Sequence, residues 1–121
     1  MNAKMCVIDW EFAQYGHRSI DLGQMIGDLI EMNHFNPSNN FTDLVEGLVK
    51  GYGTTGDDMG FRIAIYVGVH MINWHSRHPS PHRDLLNQAE SLMRVATEFV
   101  VRAWKKDRIW LEGTVLGCLF R

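Results

Sequence analysis

Apolar residues return at helical spacing in four successive stretches of this chain, and a backbone patterned in that way buries them by packing helix against helix. Leu22, Met25, Ile26, Leu29 and Ile30 form the first stripe, with Ser19 as its expected N-cap. Asn36-Pro37-Ser38-Asn39-Asn40 breaks it. Phe41, Leu44, Val45, Leu48, Val49 and Tyr52 form the second stripe, which Gly51 and Gly53 stop. The third helix is expected to start near Thr55 to Asp58, where the acids suit a helix N-terminus. It runs through Phe61, Ala64, Ile65, Gly68, Met71 and Ile72 towards His75, and Pro79 and Pro81 end it. Ile63, Val67 and Val69 leave this helix almost no polar face, which predicts a central position. Leu85, Ala89, Leu92, Met93, Ala96, Phe99, Val100 and Ala103 form the fourth and longest stripe, with Lys105 and Lys106 making a basic last turn. Residues 109–120 are apolar and punctuated by glycine, and one way to place them is as a docked short helix.

One stretch departs from the helical period. Residues 4–10 read as a strand by their apolar content, and the run Val7-Ile8 ends on Asp9, Trp10 and Glu11. An apolar strand that ends on an acid presents a carboxylate at its mouth, where a hard cation or a phosphate can meet it. Asp9 and Glu11 are two apart, so while the chain stays extended both carboxylates point to one face. Magnesium needs few protein ligands of this kind, usually one or two carboxylates beside phosphate oxygens and water. The plainer reading is a surface strand end with two solvated acids. Strand and helices together predict a single domain over 1–121, α+β in class but predominantly α-helical.

The longer pattern adds to this. Val7-Ile8-Asp9-Trp10-Glu11-Phe12-Ala13, then Gly16-His17 and Asp21-Leu22-Gly23, resemble the metal-binding segment of the aminoglycoside phosphotransferase and choline kinase-like family. The resemblance implies the C-terminal helical subdomain of a protein-kinase-like fold, with one N-terminal strand. It also implies transfer of the ATP γ-phosphoryl group to a hydroxyl on a small acceptor. Asp9 would hold magnesium on ATP, Glu11 would be an accessory acid near the metal, and Asp21 would brace the catalytic loop. Asp28 stands at the helix step that faces the acceptor in choline kinase-like proteins, and is read either that way or as a solvated helix acid. Asp57 and Asp58 are likewise read as helix-capping acids or as acids meeting a cationic acceptor.

The family's catalytic aspartate belongs to a loop of the HGD…N type that precedes the metal aspartate, and Asp9 has only eight residues before it. No such loop, strand lysine or phosphate-covering glycine loop occurs in these 121 residues. Phosphoryl transfer requires metal, nucleotide clamp and base-positioning residue together. The chain is therefore expected to supply the metal-binding aspartate and part of an acceptor pocket, with no catalytic residue of its own and no turnover alone. The alternative is a non-catalytic remnant acting at most as an interaction module. An uncovered strand at 5–8 is expected to favour self-association.

Composition excludes other classes. Net charge is −2, so no basic field draws nucleic acid or an anionic membrane. No run approaches a membrane span and the first residues lack a signal peptide's apolar core, which predicts a cytoplasmic protein. Two cysteines, Cys6 and Cys118, make no disulfide framework, and Cys6 is expected to be buried in the strand. Gly51-Tyr52-Gly53-Thr54-Thr55-Gly56 matches GxGxxG in letters, but it follows a helix rather than a strand and is read as a helix-to-helix turn. His75, His78, His82 and Asp84 invite a zinc site, yet Pro79 and Pro81 interrupt any regular ligand spacing, which favours a solvated helix end. Trp74, Trp104 and Trp110 are most simply core, with a cation–π pocket wall as the other reading.

Overall fold

His17, rather than Ser19, caps the first helix: its Nδ1 accepts the Ser19 backbone N–H at 3.2 Å and lies 2.6 Å from the Ser19 hydroxyl. Ser19 itself lies inside the helix and is fully buried. The cap holds while Nδ1 carries no proton, since only then can it accept. The computed structural model describes residues 3–9, 13–53, 56–77 and 83–121, of which 75–77 and 83–86 are described by their backbone alone. Among these residues the helices are α1 Arg18–Phe35, α2 Phe41–Tyr52, α3 Asp57–Arg77, α4 Arg83–Trp104 and α5 Arg108–Glu112, followed by a 3₁₀ helix Val115–Phe120.

The boundaries follow the sequence signals. At the end of α1 the Asn36 N–H donates to the Met32 carbonyl at 2.9 Å, and the Asn-Pro-Ser segment turns the chain into α2. Gly53 ends α2 in the left-handed region at φ 79°, where a side chain would be strained, and its N–H donates to the Val49 carbonyl. Gly51 and Tyr52 are thus the last residues of α2 rather than part of a loop, and Thr54 and Thr55 lie outside the described residues.

Packing centres on α3. Its Phe61, Ile63, Ala64, Val67 and Met71 are buried against Leu22, Ile26 and Ile30 of α1 and against Leu92, Ala96, Phe99 and Ala103 of α4. Both neighbours come close because glycine stands where they cross. A Cβ on Gly68 of α3 would lie 2.4 Å from the Ala96 carbonyl oxygen and 2.5 Å from Val100 Cγ2 of α4. On the other side, a Cβ on Gly23 of α1 would lie 2.6 Å from Tyr66 Cβ, and one on Gly27 would lie 2.9 Å from His70 Cδ2.

The C-terminal segment docks on this core. Asp107 caps α5 by accepting the Trp110 N–H, and Thr114 caps the 3₁₀ helix by accepting the Leu116 N–H. Leu111, Leu116, Leu119 and Phe120 are buried, with the Phe120 ring 5.0 Å from Phe61. Arg108 fastens the segment to the start of α3. Its guanidinium donates to Asp57 Oδ2 at 2.9 Å and to the Phe120 carbonyl at 3.0 Å.

The structure corrects the expected α+β kinase-like class, because the described elements are all helical. Residues 3–9 adopt no regular secondary structure. A strand exists only where a neighbour completes its N–H and C=O ladder, and no second strand stands among the described residues to do so. Met5 and Ile8 are consequently 97% and 79% exposed, and Cys6 is exposed rather than buried. The self-association expected of this stretch has lost the strand edge on which it rested.

Two glycine substitutions of opposite sign test the crossings. Gly68→Ala adds a methyl where α4 backbone already sits and is expected to destabilise by about 1–3 kcal/mol despite alanine's better helix propensity. Gly47→Ala in α2 meets nothing within 4 Å and is expected to stabilise by up to about 1 kcal/mol. Urea unfolding followed by circular dichroism reads both. A neutral or stabilising Gly68→Ala would show that α3 and α4 do not approach this closely.

Candidate functional site

The four residues singled out from the sequence end in different situations. Asp9 is exposed in the non-regular segment before α1, with φ 68°, a left-handed value that aspartate tolerates better than most residues. Glu11 lies outside the described residues. Asp21 is exposed in the first turn of α1, where its charge complements the helix N-terminus. Asp28 stands seven residues further along α1, on nearly the same face and about 10 Å along the axis.

Asp28 is tied to a partner that sequence reasoning missed. His70 Nε2 of α3 lies 2.7 Å from Asp28 Oδ1, with the histidine side chain largely buried and the aspartate largely exposed. Gly27 explains the meeting: with no side chain there, the His70 ring lies against the α1 backbone and Nε2–H donates to the next residue's carboxylate. Glu31, one turn after Gly27, completes the cluster. Burial pushes its carboxyl up from 4.5 to about 7; the nearby His70 lowers it and the Asp28 carboxylate raises it. Two acids beside one imidazole on a half-buried seam can pass a proton between them and orient the exposed carboxylate of Asp28. The signal in the sequence was the i, i+3 pair Asp28 and Glu31 on one face; His70 had no visible partner, because its contact crosses between helices.

Other expectations resolve more plainly. Asp57 is engaged by Arg108, and Asp58 lies 3.9 Å from Lys106, so the helix-start reading fits both. Trp110 packs beside the core with its ring 6.1 Å from Phe99 and the Arg102 guanidinium 5.3 Å from its centroid. Trp104, expected in the core, is 78% exposed, and Trp74 is half-exposed. The side chains of His75, His78, His82 and Asp84 lie outside the described residues. Among the described residues no group of three or more His, Cys, Asp or Glu side chains is placed to hold a metal. No described helix is long and apolar enough to cross a membrane. Cys118 is half-buried; burial pushes its thiol up, and Glu46 adds to the effect.

No protein-family model matches the chain. No solved structure matches it either. The chain is similar to Phosphotransferase FrzJ of Cladobotryum sp., with 29% identity over 121 residues that make up 97% of this chain and 30% of that protein. It thus spans less than a third of the length of the relative it matches.

The Glu31 carboxyl gives a signed pH dependence. Its folded value lies above the ordinary one, so the folded state binds this proton more tightly. The resulting stability is fully present below pH 4.5 and is lost as pH rises through about 7. Glu31→Gln keeps the shape without the titration. Its melting temperature is expected to exceed that of the parent by a margin that widens from pH 5 to pH 8. A margin independent of pH would place the Glu31 carboxylate in water at all pH values.

Proposed function

We propose that this chain contributes the metal-binding aspartate and part of the acceptor side of a small-molecule phosphotransferase, which moves the γ-phosphoryl group of ATP to a hydroxyl. The observation that carries the reading is the similarity to a phosphotransferase along nearly the whole chain, together with the Asp9-Trp10-Glu11 and Asp21-Leu22-Gly23 motifs of the aminoglycoside phosphotransferase and choline kinase-like family.

Magnesium is the implied metal. The residues suit it, because Asp9 offers an exposed carboxylate and magnesium asks for only one or two such ligands, taking phosphate oxygens and water for the rest. Asp9 would be the ligand and Glu11 the accessory acid. When bound, magnesium offsets the charge on the β- and γ-phosphates. Asp21 would brace the backbone of the catalytic loop in a complete enzyme, and its charge favours the start of α1. Asp28 faces solvent with one oxygen engaged by His70, which orients the carboxylate while leaving it accessible to the hydroxyl or amine of an acceptor. His70 and Glu31 act through Asp28, as positioning residues.

The 121-residue chain assayed alone with magnesium, labelled ATP and a panel of amino alcohols and aminoglycosides is expected to give no turnover, since nothing in its sequence clamps the nucleotide. Fused to the part of the Cladobotryum protein outside the match, it is expected to transfer label. Asp9→Asn should then lower kcat about a hundredfold or more, and Glu11→Gln should lower it less. Full activity in Asp9→Asn would rule out Asp9 as the metal ligand of such an enzyme, and turnover by the lone chain would show that it needs no further part to clamp the nucleotide.

A further inference from the structure

At the other end of α3 from His70, the corner where α4 ends carries a groove of about 400 Å³ that the phosphotransfer reading does not use. Phe61, Ile65 and Ala103 line it from the core side, while Trp104 stands at its edge with an indole 78% exposed. No hydrogen bond or ring contact engages that indole among the described residues. Arg62 and Lys106 also line the groove. Arg62 has no carboxylate partner among the described residues, and Lys106 meets only the exposed Asp58, at 3.9 Å. Lys105 adds a further exposed charge beside Trp104. Around the groove Arg62, Lys105 and Lys106 thus stand against Asp58, in a chain whose net charge is −2.

Ordinary packing does not account for this corner. An indole normally buries its face and finds a partner for its N–H. Trp104 does neither, although it stands beside fully buried Ala103 at the end of the longest helix. Lys106 keeps the corner open: at φ 57° it turns the chain away from the α4 axis, and α5 leaves with Ile109 also exposed, at 87%. An exposed tryptophan beside an arginine without a carboxylate partner among the described residues is typical of protein-binding surfaces, in which aromatic and arginine side chains dominate the binding energy.

We propose that this groove docks an acidic peptide segment carrying an apolar side chain. The charge of the rim selects the acids, and the apolar lining selects the side chain between them. Nucleic acid is disfavoured because the apolar lining of Phe61, Ile65 and Ala103 offers nothing to a phosphate backbone. The indole covers the apolar side chain, and its N–H is available to a peptide carbonyl. The cations at Arg62 and Lys106 steer the partner's carboxylates, an attraction that salt screens.

Calorimetric titration of the full chain with a short synthetic peptide of alternating glutamate and leucine pairs tests this. Binding is expected at low salt and should weaken as salt rises. Trp104→Ala should weaken it about tenfold or more, and the paired change Arg62→Glu with Lys106→Glu about tenfold. All three positions are exposed, so far-UV circular dichroism should confirm an unchanged fold, and Trp104→Phe should retain most of the affinity. Replacing the peptide's glutamates by glutamine, or its leucines by serine, should each reduce binding. No binding by the parent peptide would overturn the proposal, as would equal affinity for the variants. Binding to anionic phospholipid vesicles in place of the peptide would also overturn it, by showing that the surface reads charge alone.

Discussion

The close approach of three helix backbones holds this structure together. Gly68 lets α4 lie against α3, and Gly23 with Gly27 lets α1 lie against its other side. These crossings are tight enough that a single methyl at Gly68 would collide with backbone, which cannot rotate away as a side chain can. Interhelical burial then follows: Leu22, Ile26, Val67, Leu92 and Ala96 are fully or almost fully removed from water because the helices that carry them meet at short range. At about 25 cal/mol per Å² of apolar surface buried, this shared core is the main source of stability in a chain without a disulfide.

The same closeness shapes the polar seam. Where Gly27 admits the His70 ring, the imidazole reaches Asp28, and Glu31 is drawn into a setting where its charge is unfavourable. A looser helix pair would let water reach Glu31 and remove the burial that raises its carboxyl. Packing thus turns a surface acid into an oriented one. Under the proposed function, an oriented carboxylate with one oxygen engaged would serve an acceptor better than a mobile one, because the cost of fixing it has been met in folding.

The tail has a second organising contact. Arg108 bridges the start of α3 and the end of the chain, so the 3₁₀ helix covers Phe61 with Phe120. Exposed ion pairs on such a surface are individually weak in energy, yet Arg108 joins three elements at once. Directly beside it, Trp104 and Ile109 remain in solvent. The molecule therefore closes its core with its last residues while leaving an aromatic corner uncovered.

The helices were legible in the sequence because their signals are local. The 3.6-residue period, the Asn-Pro-Ser break and the Gly53 stop each act within a few residues, and the structure places α1 to α4 over the same stripes. The tail was only partly legible: its apolar content suggested docking, but its division into α5 and a 3₁₀ helix came from the structure. The Asp9-Trp10-Glu11 pattern is visible in the sequence as residue types, and its role in holding a metal belongs to the proposed function; Glu11 lies beyond the described residues. What tertiary structure decided is everything that depends on a partner distant in sequence. A strand at 4–10 needs a neighbour, and its apolar content could not supply one. Trp104 lay on an apolar stripe, but the turn at Lys106 left it facing water. His70 and Glu31 came together with Asp28 only when glycine let two helices touch, with Asp28 and His70 forty-two positions apart in sequence. Periodicity fixes which residues share a face; only packing fixes what that face meets.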